Sequence, residues 1–358
     1  MSDRFRALLQ TIGSGSQTGG DLSRSDAATA MRLMLQQAAT PAQIGAFFIA
    51  HRIKRPTPEE LAGMLDAYDE LGPKLAPPSS AAPAPIVLGI PHDGRARTVP
   101  VTPITALLLA AAGVPAITHG GDVTPTKYGV PLSELWQALG LAIAGLSLAR
   151  SQQIWARTGL GFVYLPAHFP AAHALIPYRD QIGKRPPVAT AELIWLPYSG
   201  SARAVAGFVH PPTEPLLRQA LALRGVMDLA TVKGLEGSCD LARNRTAIIG
   251  LPCPGTEQGW ERLHLRPQDY SLGGTDLALQ SKAQLFGELR AVLHGRSSDL
   301  MPAAIWNGGF YLWYCGACAD LASGLTRAEQ LLARGEVAAQ AREVARAARD
   351  RSLVPQNG

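Results

Sequence analysis

From residue 85 onward the chain alternates short apolar runs with helical stretches, and this alternation restricts the fold more than any other feature. Candidate strands lie at residues 86–88, 116–118, 162–165, 204–208, 229–233 and 247–249. Short apolar strands separated by helical crossovers predict an α/β domain with a mainly parallel central sheet. Residues 1–72 read instead as helical. Ser23 with Asp26 resembles a capping box. Thr40-Pro41-Ala42-Gln43 and Thr57-Pro58-Glu59-Glu60 each place a capping hydroxyl before a proline and a glutamine or glutamate at the third helical position. Ile44, Phe47 and Phe48, then Leu61, Met64, Leu65 and Tyr68, recur at helical spacing. Between the two regions, residues 73–84 form a proline- and alanine-rich linker. The expected organisation is a small N-terminal helical domain (1–72), a linker (73–84) and a larger α/β domain (85–358) that ends in an alanine- and arginine-rich helical tail.

Bulk properties exclude several classes. With 47% apolar and 17% charged residues, the 358-residue chain has the composition of a core-forming protein. The start, Met1-Ser2-Asp3-Arg4-Phe5-Arg6, is too polar for a signal peptide. The longest apolar stretch, residues 104–117, is interrupted by Gly113 and Pro115 and is too short to span a membrane, so a cytoplasmic location without membrane contact is expected. Cys315 and Cys318 form a C-x-x-C pair, but zinc would need a second ligand pair and none is near in sequence. They read as two small apolar residues of a buried helix. A net charge of +5 suits an anionic partner without demanding one.

One loop carries the functional signal. The apolar run 85–88 leads into Gly89-Ile90-Pro91-His92-Asp93-Gly94, followed by Thr102 and a helix over residues 104–112. Strand, glycine loop and helix is the layout that presents backbone N–H groups to a phosphate. A working loop needs several glycines for close approach. Here Pro91 has no N–H to donate, and Ile90 and His92 add bulk.

Further segments make the chain recognisable: Ile12-Gly13-Ser14-Gly15 with Asp21-Leu22-Ser23-Arg24, Ala50-His51-Arg52-Ile53-Lys54, Pro85-Ile86-Val87 with Gly94-Arg95-Ala96-Arg97, residues 114–120 ending in His119-Gly120, and Gly234-Leu235-Glu236-Gly237. In this order the chain resembles the anthranilate phosphoribosyltransferase family (glycosyl transferase family 3) over almost its whole length, and most nearly its divergent nucleic-acid-binding branch. The resemblance implies a helical domain beside an α/β domain, an active-site cleft between them, helices from about 125–155 joining the helical domain, and a homodimer paired through that domain.

Carried over position by position, the family's chemistry is selectively missing. Its Gly-Thr-Gly-Gly-Asp donor loop becomes Gly89-Ile90-Pro91-His92-Asp93, and its Asn-x-Ser-Thr segment becomes Pro100-Val101-Thr102-Pro103. Its Lys-His-Gly-Asn-Arg motif becomes Thr118-His119-Gly120-Gly121-Asp122, which reverses the local charge. Its magnesium-binding Asp-Glu pair becomes Cys239-Asp240, which leaves Asp240 as the candidate metal carboxylate, with Glu236 upstream. On the acceptor side the chain has His168, Phe169-Pro170-Ala171, then Arg179 as the match to the anthranilate-contacting arginine, then Ile182-Gly183-Lys184-Arg185-Pro186 and Ala189. No cofactor is expected, and magnesium only where transferase activity is retained.

Two readings follow. In the first, the original reaction is lost and Arg52, Lys54, Arg55, Arg95, Arg97, Lys127, Arg179, Lys184, Arg185 and Arg203 contact a nucleic acid, most naturally single-stranded, with Tyr128, Phe169, Tyr178 or Tyr198 stacking on bases. Taken singly, each such charge is more often merely solvated and each aromatic more often core. In the second, the chain is a phosphoribosyl or other glycosyl transferase with altered substrates. Asp93, Thr102 and Asp240 would organise a sugar phosphate and Arg179 would place an aromatic acceptor. A sensor for a small phosphorylated ligand is a third, lesser reading.

Overall fold

A computed structural model describes residues 3–15, 18–78, 83–256 and 259–350. The first four helices are α1 (Asp3–Gly13), α2 (Arg24–Leu35), α3 (Pro41–Lys54) and α4 (Pro58–Leu71). Helices α2, α3 and α4 start where the capping chemistry placed them. The Ser23 hydroxyl accepts from the Asp26 N–H, and Thr40 with Gln43 and Thr57 with Glu60 form complete capping boxes. Glu60 is also the knot of the domain. Fully buried, it accepts from the Leu22 N–H at 2.9 Å, the Thr57 N–H at 2.8 Å and Lys54 Nζ at 2.9 Å, and lies 3.1 Å from His51 Nε2. Burial alone would raise its pKa. His51, the Leu22 amide and Lys54 outweigh that and hold the carboxyl down at about 2. Lys54, expected to contact nucleic acid, is therefore an internal partner of Glu60 and of Asp21.

The α/β domain holds one seven-stranded sheet in the order β3-β2-β1-β4-β5-β6-β7. Its strands are β1 (Ile86–Gly89), β2 (Ala116–Gly120), β3 (Leu160–Tyr164), β4 (Arg203–Gly207), β5 (Leu229–Val232), β6 (Ala247–Pro252) and β7 (Trp260–Leu265). The first five are parallel, β6 pairs antiparallel with β5, and β7 pairs antiparallel with β6. The apolar runs mark the first six but not β7. Most residues of β7 are at least partly exposed, so it carries no apolar run.

Chain direction across the sheet reverses at β1. The chain steps outward through β2 and β3, then returns to pair β4 on the other side of β1. Such a switch point opens a crevice at the carboxyl ends of its strands, and the loops after β1 and β2 lie there.

Helices α5 (Thr102–Ala111), α6 (Leu132–Ala138) and α7 (Leu148–Thr158) belong to the sheet. Helix α6 packs on β2, α5 and a later helix, α13 (Lys282–Leu293), whereas α7 packs on β3 and the last helix, α16 (Glu336–Arg349). This corrects the expectation that residues 125–155 join the helical domain. Trp136 and Ile154 bury into the sheet-side core instead. The helices that reach α3 and α4 come later. The first of them are α10 (Ile176–Ile182) and α11 (Val188–Ala191), preceded by the short α8 (Leu165–His168) and α9 (Pro170–His173).

Helix α12 (Thr213–Ala222) packs on α4 and is followed by Arg224, which clamps Asp66 and Asp69 of α4 at 2.5 and 2.6 Å. Helices α14 (Met301–Tyr314) and α15 (Leu321–Ala333) complete the domain with α16. Cys315 and Cys318 are free and partly exposed. They lie just past α14, not inside a buried helix, because Gly316 turns the chain with φ +76°.

Part of the linker is docked rather than free. Leu75 is fully buried and bridges Tyr198, while residues 79–82 lie outside the described residues. Among the described residues, no helix is long and apolar enough to cross a membrane.

Helices α2 and α4 touch at Gly63, where an added Cβ would sit 2.1 Å from the Arg24 carbonyl oxygen. Gly63→Ala is expected to cost about 1–3 kcal/mol, the usual cost of overpacking. Urea denaturation should show this as a lower midpoint.

Candidate functional site

The loop after β1 is fixed at both ends by close backbone approach. At Gly89 a Cβ would meet the Leu193 carbonyl oxygen at 1.9 Å. Gly94 has φ +69°, and a Cβ there would lie 2.6 Å from the Val130 oxygen. The segment 128–130 closes over the loop through Gly129 N–H to Asp93 O (3.0 Å) and Val130 N–H to Arg95 O (3.1 Å). Pro91, His92, Asp93, Gly94 and Arg95 are consequently all buried. The cavity left beside Gly94, Thr102 and Ser238 measures about 30 Å³, enough for roughly one water.

Thr102 and Asp240 come together as expected, but not around a metal. Buried Asp240 accepts from the Thr102 hydroxyl at 2.7 Å, from the Val101 N–H at 3.0 Å and from Arg95 Nη1. Glu236 accepts from the N–H groups of Ala96, Arg97 and Thr98 at 3.1, 3.1 and 3.0 Å and from the Thr98 hydroxyl at 2.8 Å. Arg95 Nε stands 3.8 Å from the same carboxylate. Burial pushes the Cys239 thiol well above its ordinary range, so it stays protonated. Magnesium takes about six oxygen ligands. These carboxylate oxygens are already committed to donors, so the residues present do not fit it. Among the described residues, no group of three or more His, Cys, Asp and Glu is placed to hold a metal. Two expectations are thereby corrected. Asp240 is an ion-pair partner rather than a metal carboxylate, and Arg95, 3% exposed, is an internal cation rather than a surface contact.

A second buried network fills the acceptor side. His119, at the end of β2 before Gly120, faces His92 with 2.9 Å between Nδ1 and Nε2. His92 Nδ1 lies 3.4 Å from Glu192, which takes both Nη groups of Arg179 and the Tyr68 hydroxyl at 3.1 Å. Phe169 and Trp195 pack edgewise around Tyr68. Arg179 is 1% exposed and committed to Glu192. In this arrangement it meets neither a nucleic acid nor an acceptor. Burial would raise the Glu192 pKa, but the Arg179 charge holds it well below the usual carboxylate range. Burial and then the neighbouring His92 pull His119 down to about 3, so it is neutral near pH 7. Glu192 was not singled out from sequence. Its signal was a lone carboxylate in an otherwise apolar run, Val188 to Trp195. His168 is structural, bonded to the Tyr164 N–H and the Leu146 carbonyl.

The remaining cations are arranged outward. Buried Asp93 has Lys127 at 3.8 Å and Arg185 at 3.9 Å. Lys127 also donates to the Glu236 carbonyl, which leaves it half-enclosed. Arg185 borders an open groove of about 850 Å³ shared with Arg52, Arg55 and His210 and walled by Pro56, Pro186, Pro187, Pro211 and Pro212. A smaller groove of about 370 Å³ begins at Val209 and holds Arg97, Lys233 and Arg245. Lys184 is exposed, whereas Arg203 is held by Asp228 and the Tyr314 ring. Of the expected stacking aromatics, Tyr128 is exposed and donates to Asp180, and Tyr178 donates to Gln37. Phe169 and Tyr198 are core. His210, Lys233 and Arg245 were not singled out from sequence either, because no local cluster marks them.

The buried His119 imposes a pH dependence. In the unfolded chain it takes up a proton near its ordinary value of 6.5, whereas in the fold it stays neutral down to about 3. Stability is therefore full above that ordinary value and falls as pH drops through the window, by up to about 1.4 kcal/mol per pH unit. Melting temperatures measured from neutral to mildly acidic pH are expected to fall, and less steeply in His119→Asn. An unchanged slope in that variant would refute the assignment.

The helical bundle domain of the glycosyl transferase family matches residues 6–72, and the α/β domain of that family matches residues 93–338. Anthranilate phosphoribosyltransferase from Methylobacterium sp. (strain 4-46) is 30% identical over 344 residues, covering 93% of this chain and 95% of that protein. The enzyme of the same name from Methylocella silvestris is 28% identical over 356 residues, covering 98% and 97%. Among solved structures, anthranilate phosphoribosyltransferase from Thermus thermophilus superposes with a TM-score of 0.77 at 20% identity, covering 98% of this chain and 100% of that one. The Saccharomyces cerevisiae enzyme in complex with PRPP and Mg superposes at 0.79 and 14% identity, covering 97% and 98%. With both domains matched in order, the chain belongs to the anthranilate phosphoribosyltransferase-like glycosyl transferase family.

Proposed function

We propose that this protein has left phosphoribosyl transfer and binds single-stranded nucleic acid along its exposed basic face. The observation that carries this reading is a contrast in space. The space beside the donor loop at Gly94, Thr102 and Ser238 measures about 30 Å³, whereas the arginine-lined groove outside it measures about 850 Å³. Arg52, Arg55 and Arg185 present guanidinium forks, which suit phosphodiester oxygens without a metal. Arg97, Lys233 and Arg245 in the adjoining groove extend the same charge. The proline-rich walls hold the groove open at little entropic cost.

Anisotropy of a labelled single-stranded oligonucleotide tests this. Binding is expected to weaken steeply with salt. Arg52→Ala with Arg55→Ala should lower affinity and reduce the salt slope by about one for each phosphate no longer neutralised. The second reading, a transferase with altered substrates, draws its support from the full-length match to relatives named for that activity. Absence of oligonucleotide binding even at low salt, together with turnover of phosphoribosyl pyrophosphate, would establish it in place of the first.

The protein acts as a homodimer in this reading. Helices α1 and α3 border a groove of about 1160 Å³ in which Leu9, Ile12, Ala46, Ile49, Ala50 and Ile53 stand beside Arg6, Gln10, Asp21 and Lys54, and Ile53 is 70% exposed. An apolar surface of this kind favours a second copy. Light scattering should give twice the 37.9 kDa chain mass. Ile53→Glu should shift the protein to monomer.

A further inference from the structure

We propose that Arg95 is the resident cation of the Glu236–Asp240 carboxylate pair, so that this cleft takes no divalent metal, unlike its structural neighbour in complex with Mg. This holds independently of nucleic-acid binding, because it concerns only what these carboxylates hold.

Three observations support it. First, with Arg95 in place the donors aimed at the pair leave no coherent set of lone pairs for a metal. Asp240 receives Thr102, Val101 and Arg95, and Glu236 receives three consecutive backbone N–H groups and the Thr98 hydroxyl. A carboxylate offers about four lone-pair directions. A divalent ion would need several of them free at once and near-octahedral.

Second, the guanidinium is itself buried, 3% exposed. Its charge is little screened there, and a dication beside it would be repelled in a medium of low dielectric.

Third, the backbone that carries Arg95 is held in place. Its carbonyl accepts from the Val130 N–H at 3.1 Å, and Gly129 packs so closely that a Cβ there would lie 2.6 Å from the Arg95 nitrogen. Thr98 holds the other side of the fork, with its hydroxyl 3.2 Å from Arg95 Nε. The preceding Gly94, in a left-handed conformation, lets the chain deliver the side chain at this angle. The loss of one family carboxylate to Cys239 is then part of the same change. A single positive charge on a fixed arm replaces an exchangeable doubly charged ion, and the number of carboxylates falls with it.

The test is a titration with Mn²⁺ alone, followed by the electron paramagnetic resonance signal of the free ion. The full-length native chain is expected to show no saturable site. Arg95→Ala is expected to gain one, accompanied by a rise in melting temperature with Mn²⁺. The gain should vanish in the double variant with Asp240→Asn. Where the alanine variant does not fold, Arg95→Gln serves, since its amide keeps a donor for Asp240 while the charge is removed. Saturable Mn²⁺ binding by the native chain that Asp240→Asn abolishes would overturn the proposal. A folded Arg95 variant that binds no Mn²⁺ would overturn it equally.

Discussion

The ion pair between Arg95 and Asp240 is the contact on which the rest of the cleft depends. It joins the loop after β1 to the turn after β5, and through Val101 and Thr102 it also anchors the start of α5. A buried pair of this kind is costly to desolvate, and it is favourable only when its remaining hydrogen-bonding capacity is met. Here Thr98, Thr102 and the backbone of residues 96–98 and 101 meet it, with Glu236 as the second carboxylate. Removing Asp240 would leave the buried Arg95 charge without its nearest acid, so the loop is held by the same groups that make it polar.

A similar solution recurs on the other side of the loop. Arg179 and Glu192 form a second buried pair, with Tyr68 and His92 completing it and Phe169 and Trp195 excluding water. Two buried guanidinium–carboxylate pairs thus stand on either side of the loop after β1. Arg52, Arg55 and Arg185, the last also facing buried Asp93, line the outer groove and direct positive charge outward.

Much of this was legible residue by residue. The capping boxes at Thr40 and Thr57, the apolar strands and the loss of donors at Pro91 are local facts, set by groups a few positions apart. The missed strand β7 and the docked Leu75 were not legible. The first carries no apolar run, and the second is buried only because Tyr198 lies beside it. The basic residues were the hardest to sort. Lys54, Arg95 and Arg179 looked no different from Arg52, Arg55 and Arg185 in sequence, yet the first three are internal partners and the last three border the groove.

The sequence by itself determined the helical block, the α/β alternation and a loop in which Pro91 has no N–H to donate, because short-range sterics and hydrogen-bonding capacity decide these. Only the tertiary structure decided what each charge is for. Arg95 and Asp240 are 145 positions apart, and Arg52 reaches the carbonyl of Arg185 across 133. A charge is worth little in water and much when buried beside its opposite. Its role therefore follows from which distant partner the fold brings within a few ångströms, and neither composition nor spacing along the chain contains that distance.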